Sequence, residues 1–179
     1  QSFSRCNNAA AARYPNEYYL LLNNDVLLNP TTLKSMVSLI SEGHKTGLCG
    51  TRLLFPNGTI QHCGVVFGPG DVGPYHLNYA RPEHFIPMIS TEFQAVTGAC
   101  MLIRSNLWHE LDGLDERYDF GLEDIDLCLR ARQRGWKVWC SGTTNSLHFE
   151  ASTPGRAQLD VNSRRLFMNT WQGKYAIDG

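Results

Sequence analysis

Tyr18-Tyr-Leu-Leu-Leu-Asn-Asn-Asp-Val-Leu-Leu-Asn-Pro30 is a short apolar run that stops on three polar residues and then meets a helix start. Tyr18 to Leu22 lacks any apolar/polar alternation, which predicts a strand covered on both faces, as in a parallel α/β sheet. Asn29 offers an N-cap and Pro30 a first-turn proline, and Leu33, Met36, Val37 and Ile40 recur at i, i+3, i+4 and i+7 before Gly43. Strand, polar tripeptide, helix is the arrangement that sets polar side chains at the carboxyl edge of a sheet, where α/β proteins bind ligands. Asn23, Asn24 and Asp25 are therefore the first candidate site residues, although Asn-Asn-Asp alone also serves as an ordinary turn.

A second stretch, Phe120-Gly-Leu-Glu-Asp-Ile-Asp-Leu-Cys-Leu-Arg-Ala-Arg-Gln-Arg-Gly135, places Glu123, Asp124 and Asp126 at the opening of a helix. Leu122, Ile125 and Leu129 form its apolar stripe, Asp126 and Arg130 an i,i+4 pair, and Gly135 its stop. Acids in a first turn also complement the helix macrodipole without any further role.

The remaining segments surround these two. Residues 3 to 13 have the alanine content of a helix, and Pro15-Asn16 a turn. Leu53-Leu-Phe55 and Val65-Val-Phe67 flank Pro56-Asn-Gly-Thr59, a strong hairpin signal that predicts an antiparallel excursion. Residues 68 to 90, rich in proline and aromatic side chains, read as a partly ordered binding loop. Strands are expected at Phe93–Thr97 and Ala99–Ile103, interrupted by Gly98. A short helix capped by Ser105 should run through Leu111, with Gly113 closing it. Trp136–Cys140 and Ser146–Glu150 read as two strands separated by a polar turn, and 160 to 175 as a helix with Leu166, Phe167, Met168 and Trp171 available for packing.

A chain of 179 residues, 42% hydrophobic and 18% charged, suits a single domain spanning 1–179. A net charge of -1 gives no bulk attraction to nucleic acid or to anionic membrane. The six cysteines are scattered without a C-x-x-C pair and read as reduced core thiols. No apolar run reaches the length of a membrane span, and the opening residues lack a signal peptide's apolar segment, which points to the cytoplasm.

Taken together the segments resemble family 2 glycosyltransferases of the GT-A fold, with Asn23-Asn24-Asp25 in the place of the Asp-x-Asp signature. Phe55-Pro-Asn-Gly-Thr-Ile-Gln-His62, Val96-Thr-Gly-Ala-Cys-Met-Leu-Ile-Arg104, Gly113-Leu-Asp-Glu116, Gly121 to Arg130 and His148-Phe-Glu-Ala-Ser152 are similar, in order, to bacterial rhamnosyltransferase-like members. The resemblance implies an α/β fold with a mixed sheet and flanking helices. It also implies an inverting, metal-dependent transfer of sugar from a nucleotide-sugar donor to a glycan or lipid-linked acceptor, as in polysaccharide biosynthesis at the inner face of a membrane. Asp25 and His148 would hold Mn²⁺ or Mg²⁺, and the Asn23 substitution leaves that site one charge poorer. Asp124 would be the general base with Glu123 beside it; Asn23, Asn24, Gly98, Asp126 and Arg156 would contact substrate.

GT-A domains usually begin with a nucleobase-binding half of roughly 80–100 residues built from βαβ-type units. Its absence before the Asn-Asn-Asp strand leads to the expectation that this chain is the metal, base and acceptor side of a longer enzyme. Such a chain would have weak nucleotide affinity and a sheet flank open to association with a second copy. Two alternatives remain from the sequence: a catalytically silent sugar- or partner-binding remnant, and a glycosidase using paired carboxylates.

Overall fold

The computed structural model describes residues 2–149 and 156–179, the side chains of 156–160 excepted. The alanine-rich segment forms α1 (Phe3–Arg13), begun by Ser2, whose hydroxyl accepts the Arg5 N–H. The strands are β1 (Tyr18–Leu22), β2 (Val26–Leu27), β3 (Thr46–Leu54), β4 (Ile60–His62), β5 (Val65–Gly68), β6 (Gly73–His76), β7 (Thr91–Phe93), β8 (Cys100–Arg104) and β9 (Lys137–His148). Seven of them make one mixed sheet along the path β1-β8-β3-β9-β2, with β4 on β3 and β7 on β9, while β5 and β6 pair separately. β3 and β9 run parallel, whereas β8 is antiparallel to both β1 and β3. Strand β1 is thus covered on both faces as expected, but it pairs antiparallel with β8 rather than within a parallel array.

One face of the sheet is covered by α2 (Thr32–Glu42), whose Met36 and Ile40 pack on Cys49, Leu53 and Leu102. Leu33 and Val37, expected on the same stripe, remain more than a third exposed, and Thr32 is buried instead. Pro30 lies in a turn ahead of the helix, where Asn29 Oδ1 accepts the Thr31 N–H at 3.0 Å. The other face is covered by α3 (Ser105–Glu110), α4 (Glu123–Gln133) and α5 (Arg156–Trp171), packed on Leu48, Ile103 and Val138 through Leu107, Leu127, Phe167 and Trp171. Ser105 is the first residue of α3 and gives it no side-chain cap.

Two expectations are corrected here. The polar stretch after Cys140 is a bulge inside one twelve-residue strand, where the partner of Thr51 is Ser141 and that of Arg52 is Asn145. Its hydroxyls are satisfied by α2: Ser35 Oγ lies 2.7 Å from both Ser141 and Thr143, and Thr32 Oγ1 2.9 Å from Thr144 and 3.0 Å from Ser146. A polar run reads as a turn when those partners are out of view. The hairpin around Asn57-Gly58, with Gly58 at φ +80°, joins β3 to β4, and Val65–Phe67 belongs to β5 in the second sheet.

The loop over 68 to 90 is ordered by β6, a 3-10 turn at Glu83–Phe85 and a buried arginine. Arg52, 1% exposed, donates to the carbonyls of Glu83 at 2.9 Å, Ile86 at 3.0 Å and Pro87 at 3.2 Å. None of the six cysteines is in a disulfide and four are buried; burial pushes the thiols of Cys49 and Cys100 up to about 12, which keeps them unreactive. Among the described residues no helix is long and apolar enough to cross a membrane.

Candidate functional site

The carboxyl ends of β1, β3 and β9 lie on one edge of the sheet, and the polar tripeptide leaves β1 there. Asn23 N–H donates to Ala99 O at 2.9 Å and Asn23 O accepts the Val26 N–H at 3.2 Å, so the chain turns sharply and carries Asp25 back over the edge. Asp25 O then accepts the Phe149 N–H at 3.0 Å, joining the tripeptide to the end of β9. The result is a side-chain pair across 123 positions: Asp25 Oδ1 lies 3.1 Å from His148 Nε2. Both are mostly enclosed, with side-chain exposures of 10% for His148 and 19% for Asp25. The other ring nitrogen, Nδ1, is 2.6 Å from Gln61 Oε1 of β4.

Asp124 reaches the same edge through backbone. Gly98 N–H donates to Asp124 Oδ2 at 2.6 Å, and the next residue, Ala99, is the one whose carbonyl holds Asn23. A Cβ at Gly98 would lie 3.1 Å from that of Asp124, so the close approach favours glycine. The second carboxylate oxygen of Asp124 accepts the Ile125 N–H at 2.8 Å. His62 supports the preceding residue, since its Nε2 accepts the Thr97 N–H at 3.4 Å while its Nδ1 faces His76 Nδ1 at 2.8 Å.

The start of α4 is set by two successive residues in the left-handed region, Gly121 at φ 76° and Leu122 at φ 72°. A leucine there costs about 1–2 kcal/mol, a strain located at the mouth of the site. Glu123 follows, 8% exposed, with Oε2 buried and lacking a hydrogen-bond partner. Burial, reinforced by the neighbouring charge of Asp124, pushes its carboxyl from the ordinary 4.5 up to about 8.

This has a measurable consequence for stability. Between about 4.5 and about 8 the folded chain retains a proton that the unfolded chain has released. Unfolding free energy should therefore be highest below the lower value and fall, by up to a few kcal/mol, as pH rises through the upper one. Urea unfolding of wild type and Glu123→Gln across that range tests this: the substitution should flatten the decline, and an unchanged slope would contradict it.

Asp126, expected to contact substrate, lies in the packing between α4 and α5. It is 2% exposed and its carboxylate accepts Trp171 Nε1 at 2.8 Å and Arg130 Nε at 2.7 Å, clasping α5 to α4. Asn23 is half-buried at the edge and Asn24 is exposed beside it. Arg156 begins α5, but its side chain lies outside the described residues, as does Ser152. Gln61 and His62 end the Phe55–His62 segment, where no local pattern singles out either for a role. A cavity of about 610 Å³ lined by Asn8, Trp108, Asp115 and Arg130 lies on the α1 and α3 side and contains none of the residues at the strand edge.

Comparison with known proteins agrees with this architecture. Residues 1–155 match the family described as Glycosyltransferase like family 2. The chain is 36% identical over 160 residues, 85% of its length, to the O-antigen biosynthesis protein RfbC of Myxococcus xanthus. It is 24% identical over 82% of its length to the N-acetylglucosaminyl-diphospho-decaprenol L-rhamnosyltransferase of Mycobacterium tuberculosis strain H37Rv. It spans 12% of the first of these relatives and 52% of the second. A solved structure of GalNAc-T7 with UDP, GalNAc and Mn²⁺ superposes with a TM-score of 0.67 at 12% identity, covering 96% of this chain and 35% of that one. That likeness shows the fold, a mixed α/β GT-A architecture with flanking helices.

Proposed function

From the premise that the chain belongs to glycosyltransferase family 2, we propose that it forms the catalytic and acceptor-side part of an inverting, metal-dependent enzyme. This enzyme moves sugar from a nucleotide-diphosphate donor to a glycan or lipid-linked acceptor. The observation that carries the reading is the meeting of Asp25 with His148 at 3.1 Å on the strand edge to which Gly98 and Ala99 also tie Asp124. The relatives named for O-antigen biosynthesis and rhamnosyl transfer support a place in bacterial polysaccharide assembly; placing the lipid-linked acceptor at the inner face of the membrane is part of the proposal.

The donor set fits Mn²⁺ or Mg²⁺. One carboxylate oxygen and one imidazole nitrogen are ligands such cations accept, and these ions normally complete their shell with substrate phosphates and water rather than with a full protein cage. Among the described residues no group of three or more His, Cys, Asp and Glu side chains gathers to make such a cage. When bound, the cation neutralises charge on the departing diphosphate.

The remaining chemistry falls to the chain itself. Asp124, partly exposed and held by the Gly98 N–H, accepts the proton of the acceptor hydroxyl as that oxygen attacks from the face opposite the leaving group. Glu123, carrying its proton near neutrality, adds no second negative charge beside the base. Asn23 and Asn24 present amides toward the donor without further charge. The test is to incubate the complete enzyme with UDP- and dTDP-activated sugars and a lipid-linked acceptor, and read the product's anomeric configuration by NMR. Transfer with inverted configuration is expected; glycoside hydrolysis without nucleotide sugar, or sugar binding without turnover, would contradict the proposal.

A further inference from the structure

We infer that Gln61 is the positioning residue that fixes the tautomer of His148 and so turns its Nε2 lone pair toward Asp25, an inference that rests on the metal-holding role proposed above for that pair. Gln61 is the central residue of β4 and is 6% exposed, and His148 is 8% exposed, so water has little access to the contact between them. Gln61 Oε1 lies 2.6 Å from His148 Nδ1. With Oε1 as the amide atom nearest the ring, Gln61 accepts, and we assign the proton to Nδ1 as the donor.

On the opposite side of the ring, Nε2 faces Asp25 Oδ1 at 3.1 Å, and a carboxylate oxygen is again an acceptor. The neutral ring has one proton to give, and Gln61 claims it. Nε2 is then left as a lone pair beside a carboxylate, which is the disposition of two ligands aimed at a shared cation rather than of a donor and its acceptor. Ligating histidines ordinarily need such a partner on the distal nitrogen, and losing it typically costs 10–100-fold in metal affinity. Were the Gln61 amide turned round, its NH₂ would donate to Nδ1, the proton would move to Nε2, and His148 would be locked to Asp25 as a donor unable to ligate.

Packing alone does not explain a glutamine here. A leucine would fill similar volume, and the neighbouring residue Ile60, 0% exposed, already supplies apolar burial. Leu53 pairs with His62 and Leu54 with Ile60, which leaves Gln61 as the extra residue of a bulge in β4, while Leu147, next to His148, pairs with Leu54, so both residues are anchored at the end of β3.

Long-range ¹⁵N–¹H correlation spectra of the His148 ring, recorded at a pH where it is neutral, test the inference in wild type, Gln61→Leu and Gln61→Glu. Wild type should carry the proton on Nδ1, and Gln61→Glu, which keeps an acceptor, should retain it. Gln61→Leu should move the proton to Nε2 and raise the Mn²⁺ concentration that half-broadens the His148 signals by about 10–100-fold. A wild-type ring protonated on Nε2, or a Gln61→Leu ring unchanged in tautomer and Mn²⁺ response, would overturn it. If the leucine variant does not fold, the wild-type and Gln61→Glu spectra decide. A Gln61-dependent tautomer without broadening by Mn²⁺ would uphold the positioning role while removing the metal role of the pair.

Discussion

Replacing Asp124 by asparagine in the complete enzyme should lower kcat for sugar transfer by about 10²–10⁴. The loss is expected to be chemical rather than structural, because an asparagine side chain keeps an oxygen able to accept the Gly98 N–H that holds this position, now at 2.6 Å. On the proposed mechanism, what disappears is the charge that draws the proton from the acceptor hydroxyl. Glu123→Gln should cost far less, since Glu123 already carries its proton near neutrality. Steady-state rates with saturating donor and acceptor give the answer, and near-wild-type turnover by Asp124→Asn would reduce Asp124 to a helix-end charge.

The largest stability effect should come from Asp126→Ala. Its carboxylate is the only acidic partner of Arg130 among the described salt bridges, and it also receives the indole N–H of Trp171, itself 3% exposed. Removing it leaves a largely enclosed guanidinium with only the carbonyls of Leu111 and Gly113, and orphans the indole. Breaking one side of such a pair typically costs 3–5 kcal/mol, roughly a third or more of a domain's stability. Urea unfolding of the variant should show that loss; a change below about 1 kcal/mol would mean that α5 is held by its apolar contacts alone, since surface-grade pairs contribute no more than this.

Local patterns made much of the architecture readable, because the forces involved act within a few residues. Alanine content marks α1, Asn57-Gly58 marks the turn after β3 but not its partner strand, and the apolar stripe with its closing glycine marks α4. The misreadings share a different cause, which is a partner far along the chain. Ser141 to Ser146 looks like a turn until the hydroxyls of Thr32 and Ser35 are brought against it, more than a hundred positions away. The Trp171 partner of Asp126 is likewise out of local view, 45 positions on in α5. The Asp25–His148 pair was anticipated only through the family resemblance, and Gln61, 87 positions from His148, carried no local pattern to distinguish it from any strand glutamine.

On the proposed reading, Asp25 and His148 together hold the divalent cation for transfer. This is tested most directly by the Mn²⁺ dependence of transfer in the complete enzyme, comparing wild type with Asp25→Ala and His148→Ala. Wild type should show no transfer after chelation and full recovery on adding Mn²⁺, and both variants should need well over tenfold more Mn²⁺. Undiminished transfer by chelated wild type, or variants with an unchanged Mn²⁺ requirement, would contradict this reading.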